Sequence, residues 1–465
     1  MSEDQDRFTP SRLLPVRPNL DQLKRQAKDL LRAIRRGDPE AIEEFKKYHP
    51  KASRLALNAD ETSALATNAD KMFGNRTQDA RTPIKLADAQ LVLARSYGAP
   101  SWPRLVQACK LIDAIWRDGV EAVREIVVQN PQLLHENAGI RNNNWGPPLS
   151  YAANLGRDEI IKLLHKFGAL DLKHAMGRAM LQSKITTAAM LYKLLGSPTP
   201  PEGALSGPAY TLSVPGTAFA LKIGVPVRDK EGKRLAPVDI VLETDSRNPA
   251  AKHEILELYV RHGLELPDTP TMALHRGRLD LLEEHLRRDP KVLQRTFTHE
   301  EIYPPQLGCH DEIQATQGTP LKGTTLLHMC ADYNEIEIAR WLIEHGADLN
   351  ARADVDSDGF GGHTPLFCTV VSQPNFWMNY TGGWAHARRP QVAPFTQLLL
   401  DHGAAPNVRA SLRKKLHPGY GPQYDVENVY EYRDVTALSW GKRFHAKVFV
   451  SGPAMRLIEE HGGKE

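Results

Sequence analysis

Residues 323–352 read GTTLLHMCADYNEIEIARWLIEHGADLNAR, and the spacing of their apolar side chains decides the fold. Thr325 stands where a helix can begin with a hydroxyl on a free backbone N–H, and Leu327 and Ala331, four residues apart, share one face of that helix. A second helix carries Ile338, Ala339, Leu342 and Ile343 on its apolar side. Gly346 then falls where the chain has to turn, because glycine takes the left-handed conformation that closes a helix at little cost. The stretch reads as helix, turn, helix, turn.

The same order of residues returns along the chain. It appears at Leu149, Ala152, Ala153, Gly156, Ile160, Ile161, Leu164, Gly168 and Ala169, and again at Thr364, Pro365 and Leu366, continued after an interruption by Phe395, Leu398, Leu399, Gly403 and Ala404. A weaker copy runs from Thr436, Leu438 and Trp440 to Leu457, Ile458 and Gly462, and degenerate copies cover 112–134, 174–196, 237–263 and 271–293. A helix pair that cannot bury its apolar face alone does so by stacking on its neighbours, so a recurring pair predicts an array rather than separate compact domains.

This grammar resembles the ankyrin repeat, whose signature joins Thr-Pro-Leu-His, a central glycine and a closing Leu-Leu-x-x-Gly-Ala. Residues 323–352 depart from it at Leu326, where the family has proline, and at Asn334, where it has glycine. The resemblance implies an all-α fold, an α-solenoid of ankyrin-type helix-turn-helix repeats with short β-hairpin fingers and long insertions. It covers about 110–465, and the array is expected over 109–465 in about seven to eight units. Thr325 and Thr364 are 39 residues apart and Thr364 and Thr436 are 72 apart, against a family period of about 33. The surplus is expected as insertions at 197–237, 296–320, 371–394 and 409–434, the first of them read as a β-hairpin finger because it alternates around Val225 and Val227 and turns at 229–232.

Ahead of the array, residues 1–16 read as a polar tail and 17–108 as a helical cap, interrupted by a polar linker at 51–82. The motifs Pro18-Asn19-Leu20 and Ser101-Trp102-Pro103-Arg104-Leu105 make this part similar to a helical leader that precedes ankyrin arrays in bacterial proteins. Arg25, Lys28, Arg32, Arg35 and Arg36 offer a basic face for nucleic acid, but Asp21, Asp29 and Asp38 interleave with them, and a solvated helix surface is the better account.

Composition narrows the function. Of 465 residues, Lys and Arg exceed Asp and Glu by three (59 against 56), so no global field draws nucleic acid or an anionic membrane, and neither is expected as a partner. No apolar run approaches the roughly 18 residues of a membrane helix, and the start lacks a secretory signal, so a cytoplasmic protein is expected. Cys109, Cys309, Cys330 and Cys368 stand far apart and read as free thiols. No phosphate loop, HExxH or GxSxG motif occurs, which leans against an enzyme, and no cofactor is expected.

Candidate site residues cluster in the insertions. Trp377, Tyr380, Trp384, His386, Arg388 and Arg389, joined by Tyr424 from the next insertion, combine aromatic faces with arginines, the residue types that anchor protein interfaces. They also suit stacking on sugars or bases, or packing down as anchors of a long loop. Glu301, His310, Asp311 and Glu312 are acid–base candidates. Asp354, Asp356 and Asp358 with Gly359 reproduce the first half of a calcium loop, although its twelfth position, which wants a glutamate, is Pro365. The primary expectation is a scaffold holding a protein partner on its concave face and fingers. The alternative is a small-molecule or carbohydrate site, hydrolytic if its acids converge.

Overall fold

A computed structural model describes residues 10–52, 55–56, 82–140, 145–198, 203–244, 247–372, 391–417 and 426–465. These residues form two compact units. The first runs to Arg178 and takes in Thr186–Gly196, and the second comprises Ala179–Ile185 and the chain from Ser197 onward.

The first unit begins with α1 (Leu20–Arg35), where the Asn19 side chain accepts the amide N–H groups of Asp21 and Gln22, both at 3.0 Å. Asp38 caps α2 (Pro39–Tyr48), whose first-turn proline loses nothing because that N–H has no partner in a helix. Leu30 and Ile34 of α1 pack on Phe45 and Tyr48 of α2 and on Val92 of α3 (Leu86–Ser96). Leu23 and Ala27, on the same stripe one turn earlier, meet Leu93 and Tyr97 and reach Leu105 and Cys109 of α4 (Trp102–Trp116). Two-residue strands β1 (Leu55–Ala56) and β2 (Thr82–Pro83) pair in parallel. Next come α5 (Val120–Gln129), α6 (Pro148–Leu155) and α7 (Asp158–Lys166), in which α4 packs on α6 and α5 on α7. The stretch before α1 is tied down where it is described. Arg12 pairs with Glu44 at 2.9 Å, the Tyr151 hydroxyl donates to the Val16 carbonyl, and Arg17 lies 5.1 Å over the Trp116 ring. Of the stretch read as a polar tail, Arg12 and Val16 are held in this way, and residues 1–9 lie outside the described residues.

Helices α8 (Leu172–Leu181) and α9 (Ile185–Leu194) span the division between the units. In the second unit, 197–237 departs from the expected β-hairpin finger. It contains α10 (Ser206–Tyr210) and α11 (Val214–Lys222), and only a short finger follows, closed by a bridge between Arg228 and Arg234. The prolines and glycines read as breakers serve the helices instead. Pro215 sits in the first turn of α11, after the Ser213 cap, and a Cβ on Gly216 would stand 2.4 Å from the Met180 carbonyl oxygen, so glycine lets the helix approach.

The remaining pairs follow in order: α12 (Val238–Glu243) with α13 (Pro249–Arg261), and α14 (Pro270–His275) with α15 (Leu279–Arg288). After the short helices α16 (His299–Ile302) and α17 (Glu312–Ala315) comes the best-formed pair, α18 (Leu326–Tyr333) and α19 (Ile336–Glu344). Then come α20 (Pro365–Val370) with α21 (Pro394–Asp401), and α22 (Ala437–Arg443) with α23 (Gly452–Glu460). The first helices stack in register, α14 on α18, α18 on α20 and α20 on α22. Asn334, at φ 60°, ends α18 in the left-handed conformation, doing there what glycine does in the family signature.

Fingers project from the starts of these pairs and bridge one another. Phe297 pairs with Thr324, Val355 with Gly361, and Gly361 in turn with Ser411. Ser411 lies on β3 (Ala410–Lys414), which runs antiparallel to β4 (Tyr430–Val435) with a bulge between Ala410 and Leu412. Gly361 is required at the junction: its φ is +126°, and a Cβ there would fall 1.9 Å from the Asp354 carbonyl oxygen.

Candidate functional site

The bridged fingers line a groove of about 570 Å3. Phe360 and Leu412, both buried, form its apolar floor, and Pro320 and Gly323 belong to its wall. Around it stand Ile313, Val355 and Val429, exposed by 37%, 61% and 57%. Isolated apolar residues on a surface need no explanation, whereas these three line one concavity.

The hairpin holding Val355 is rigid. Asp356 accepts the backbone N–H groups of Asp358 and Phe360, both at 2.9 Å, and the guanidinium of Arg413 forks onto Asp356 and Asp358, each at 2.8 Å. Arg413 and Arg433 both lie over the Phe360 ring, at 4.9 and 4.3 Å. The backbone N–H groups of Phe360 and Asp358, with Arg413, hold the Asp356 carboxyl below its usual range. Two of the three calcium candidates are thus committed to a turn and an arginine, while Asp354 accepts the Thr296 hydroxyl at 3.0 Å. Among the described residues no group of three His, Cys, Asp or Glu side chains is placed to hold a metal.

The acid–base candidates are likewise engaged one by one. Glu301 completes a capping box, accepting the Thr298 N–H at 2.9 Å, and pairs with Arg295. His310 lies against Glu243, which accepts both its Nδ1–H and its backbone N–H at 2.6 Å and raises the imidazole pKa. Asp311 is the cap of α17, accepting from Ile313 and Gln314. Of the four, Glu312 alone lines the groove. Trp377, Tyr380, Trp384, His386, Arg388, Arg389 and Tyr424 lie outside the described residues. Tyr430 and Tyr432 pack inward: Tyr430 stacks on His445 at 4.0 Å, and Tyr432 packs on Trp440 and bonds to His445.

Histidines tie some neighbouring repeats together. His328 Nδ1 accepts from Thr325, whose N–H is 3.3 Å away, and its Nε2–H donates to the His363 carbonyl at 3.1 Å. His363 donates to the Pro320 carbonyl at 2.9 Å, and His275 to that of Ile302 at 3.0 Å. Burial lowers His328 to about 3 and His363 to about 4, so both rings are neutral.

Beneath the first helices lies a set of buried charges. Lys252 pairs with Glu335 at 2.8 Å, with both side chains 3% exposed, and His253 approaches the same carboxylate at 2.9 Å. Arg247 pairs with Asp332 at 2.9 Å. Both cations lie over the Tyr333 ring, at 4.2 and 4.1 Å. Burial raises the Glu335 carboxyl, but Lys252 and His253 outweigh it and leave the group below its usual range.

Sequence reading missed the groove. Its signals were present: Val355 and Val429 are exposed apolar residues, and Lys414 interrupts the alternating inward row Ala410, Leu412 of β3.

Residues 322–354 match the family model described as the ankyrin repeat. The chain thus carries one matched ankyrin repeat, and helix pairs of the same order stack on either side of it. Among solved structures, the crystal structure of the human ASB11 ankyrin repeat domain is similar at 14% identity, covering 68% of this chain and 99% of that one, with a TM-score of 0.26. No helix of the described residues is long and apolar enough to cross a membrane.

Proposed function

We propose that the protein is a protein-binding scaffold that seats an extended segment of a partner in the groove between its fingers. Ankyrin repeats are generally protein–protein interaction modules. The observation that carries the reading is the gathering of Ile313, Val355 and Val429, all exposed, around a 570 Å3 concavity on a stiffened hairpin framework. The proposal also assigns partner binding to the concave face and to Trp377, Tyr380, Trp384, His386, Arg388, Arg389 and Tyr424. A cytoplasmic setting is part of the same reading. The hydrolytic alternative has no support in the site, because Glu301, His310 and Asp311 serve caps and local pairs.

The test places a photo-crosslinker at Val355 and identifies the partner it captures. The double variant Val355→Asp/Val429→Asp is expected to lose that partner. Val128→Asp, at an equally exposed valine of the first unit (60%), is expected to keep it. Retention by the double variant refutes the groove as the binding surface.

A further inference from the structure

Lys414 follows Ala410 and Leu412 on the inward row of β3, is 3% exposed, and lines the groove. Its Nζ donates to the Thr316 carbonyl at 2.6 Å, and among the described residues no carboxylate lies within 4 Å of it. An ammonium has three donors, so two are unspent. The equally buried Lys252 shows what this chain does elsewhere with such a group: it supplies Glu335 at 2.8 Å. A buried cation without a hydrogen-bonded counter-charge destabilises the fold that holds it. The carboxylates of Glu312, Asp332 and Asp311 act on Lys414 only from a distance.

The rest of the groove has the same bias. Lys322 and Lys415 line it without an ion partner among the described residues, whereas Arg413 is held by two aspartates. With Arg413 and Asp356 paired to each other, three lysines line the groove against two carboxylates, Glu312 and Asp354. A strand laid along it sends successive side chains to opposite faces, so carboxylate and aliphatic residues in alternation suit a lining that carries both lysines and exposed valines.

We propose that the groove binds an acidic strand of a partner protein in which carboxylate and aliphatic residues alternate, with a carboxylate seated on Lys414. This rests on the protein-binding reading and names the partner's chemistry. The carboxylate takes the two unspent donors, and Lys322 and Lys415 flank the backbone, while the aliphatic side chains cover Val355 and Val429.

The experiment titrates the full chain with a fluorescent hexapeptide alternating glutamate and valine, and with its glutamine and lysine counterparts, reading anisotropy. The glutamate peptide is expected to bind about ten- to a hundredfold tighter than the glutamine peptide, the range of a hydrogen-bonded charge, and the lysine peptide not to bind. Lys414→Met keeps the length of the side chain and removes the charge. It is expected to unfold at an equal or higher temperature and to abolish the preference for glutamate. If that variant fails to fold, Lys322→Gln/Lys415→Gln, at positions nearer the surface, is expected to reduce the preference and its salt dependence. Equal binding of the glutamate and glutamine peptides, an unchanged preference in Lys414→Met, or full displacement by inorganic phosphate at equal concentration overturns the acidic strand and leaves the scaffold standing. Failure of every peptide to bind also overturns it, and the crosslinking of Val355 then decides the scaffold on its own.

Discussion

Replacing Glu335 by glutamine removes one negative charge from the interior without changing the shape of the side chain. Lys252 then keeps its ammonium at 3% exposure, with its partner at 2.8 Å turned into a neutral amide, and His253 loses the carboxylate 2.9 Å away. Breaking a buried pair from one side costs about 3–5 kcal/mol, because the surviving charge stays desolvated and uncompensated. The lower end applies here, since the Tyr333 ring 4.1 Å from Lys252 returns part of the loss through its negative face. At a urea slope of about 3 kcal/mol per molar, a loss of about 3 kcal/mol lowers the unfolding midpoint by about 1 M. Amide exchange in α18 and α19 should accelerate by about a hundredfold if these helices open with the loss. The double variant Lys252→Met/Glu335→Leu removes both charges and is expected within about 1 kcal/mol of the parent, or above it. A midpoint shift under about 0.3 M in Glu335→Gln, with exchange unchanged, refutes the claim that this pair is desolvated and mutually dependent.

Further outcomes follow from other contacts. His328 and His363 are held neutral by burial, with pKa values of about 3 and 4 against 6.5. The unfolded chain therefore binds protons that the folded chain refuses, and stability falls as pH drops below about 6.5, by about 1.4 kcal/mol per pH unit for each ring, until the folded values are reached. Thermal midpoints between pH 7 and 4.5 measure this, and His363→Asn should flatten the slope. Gly361→Ala forces a Cβ to 1.9 Å from a carbonyl oxygen at φ +126° and should cost upward of about 2 kcal/mol. Gly346→Ala, at φ +91° with nothing nearby, should cost only the conformational term of about 1–2 kcal/mol, so equal losses by calorimetry contradict the crowding argument. Deletion of 373–392 should reduce partner capture if Trp377, Tyr380 and Trp384 contribute, and unchanged capture removes them.

The helix pairs were legible because burial of a helix face is written at every third or fourth residue: Ile338, Ala339 and Leu342, all buried, are the same residues the periodicity picks out. Around Pro215 and Gly216 the reading failed, since those residues break a helix in isolation but start one, or let it approach a neighbour, in context. The groove was illegible for a different reason. Which exposed valines face each other depends on how hairpins from three repeats line up, and Val355, Ile313 and Val429 are separated by up to 116 residues. The calcium-like run misled because its spacing is that of a hairpin turn too, and Arg413, 55 residues beyond Asp358, settles between the two.

Histidines in or beside the first helices couple neighbours through a single bond each: His275 to Ile302, His328 to His363 and His363 to Pro320. In a linear array of units, whose energies divide into terms for each unit and for each boundary, these bonds belong to the boundaries. Strong boundaries make partly folded chains costly, since every junction between ordered and disordered units forfeits one. Removing a single imidazole should therefore do more than weaken one place: it should let the array melt in two steps instead of one.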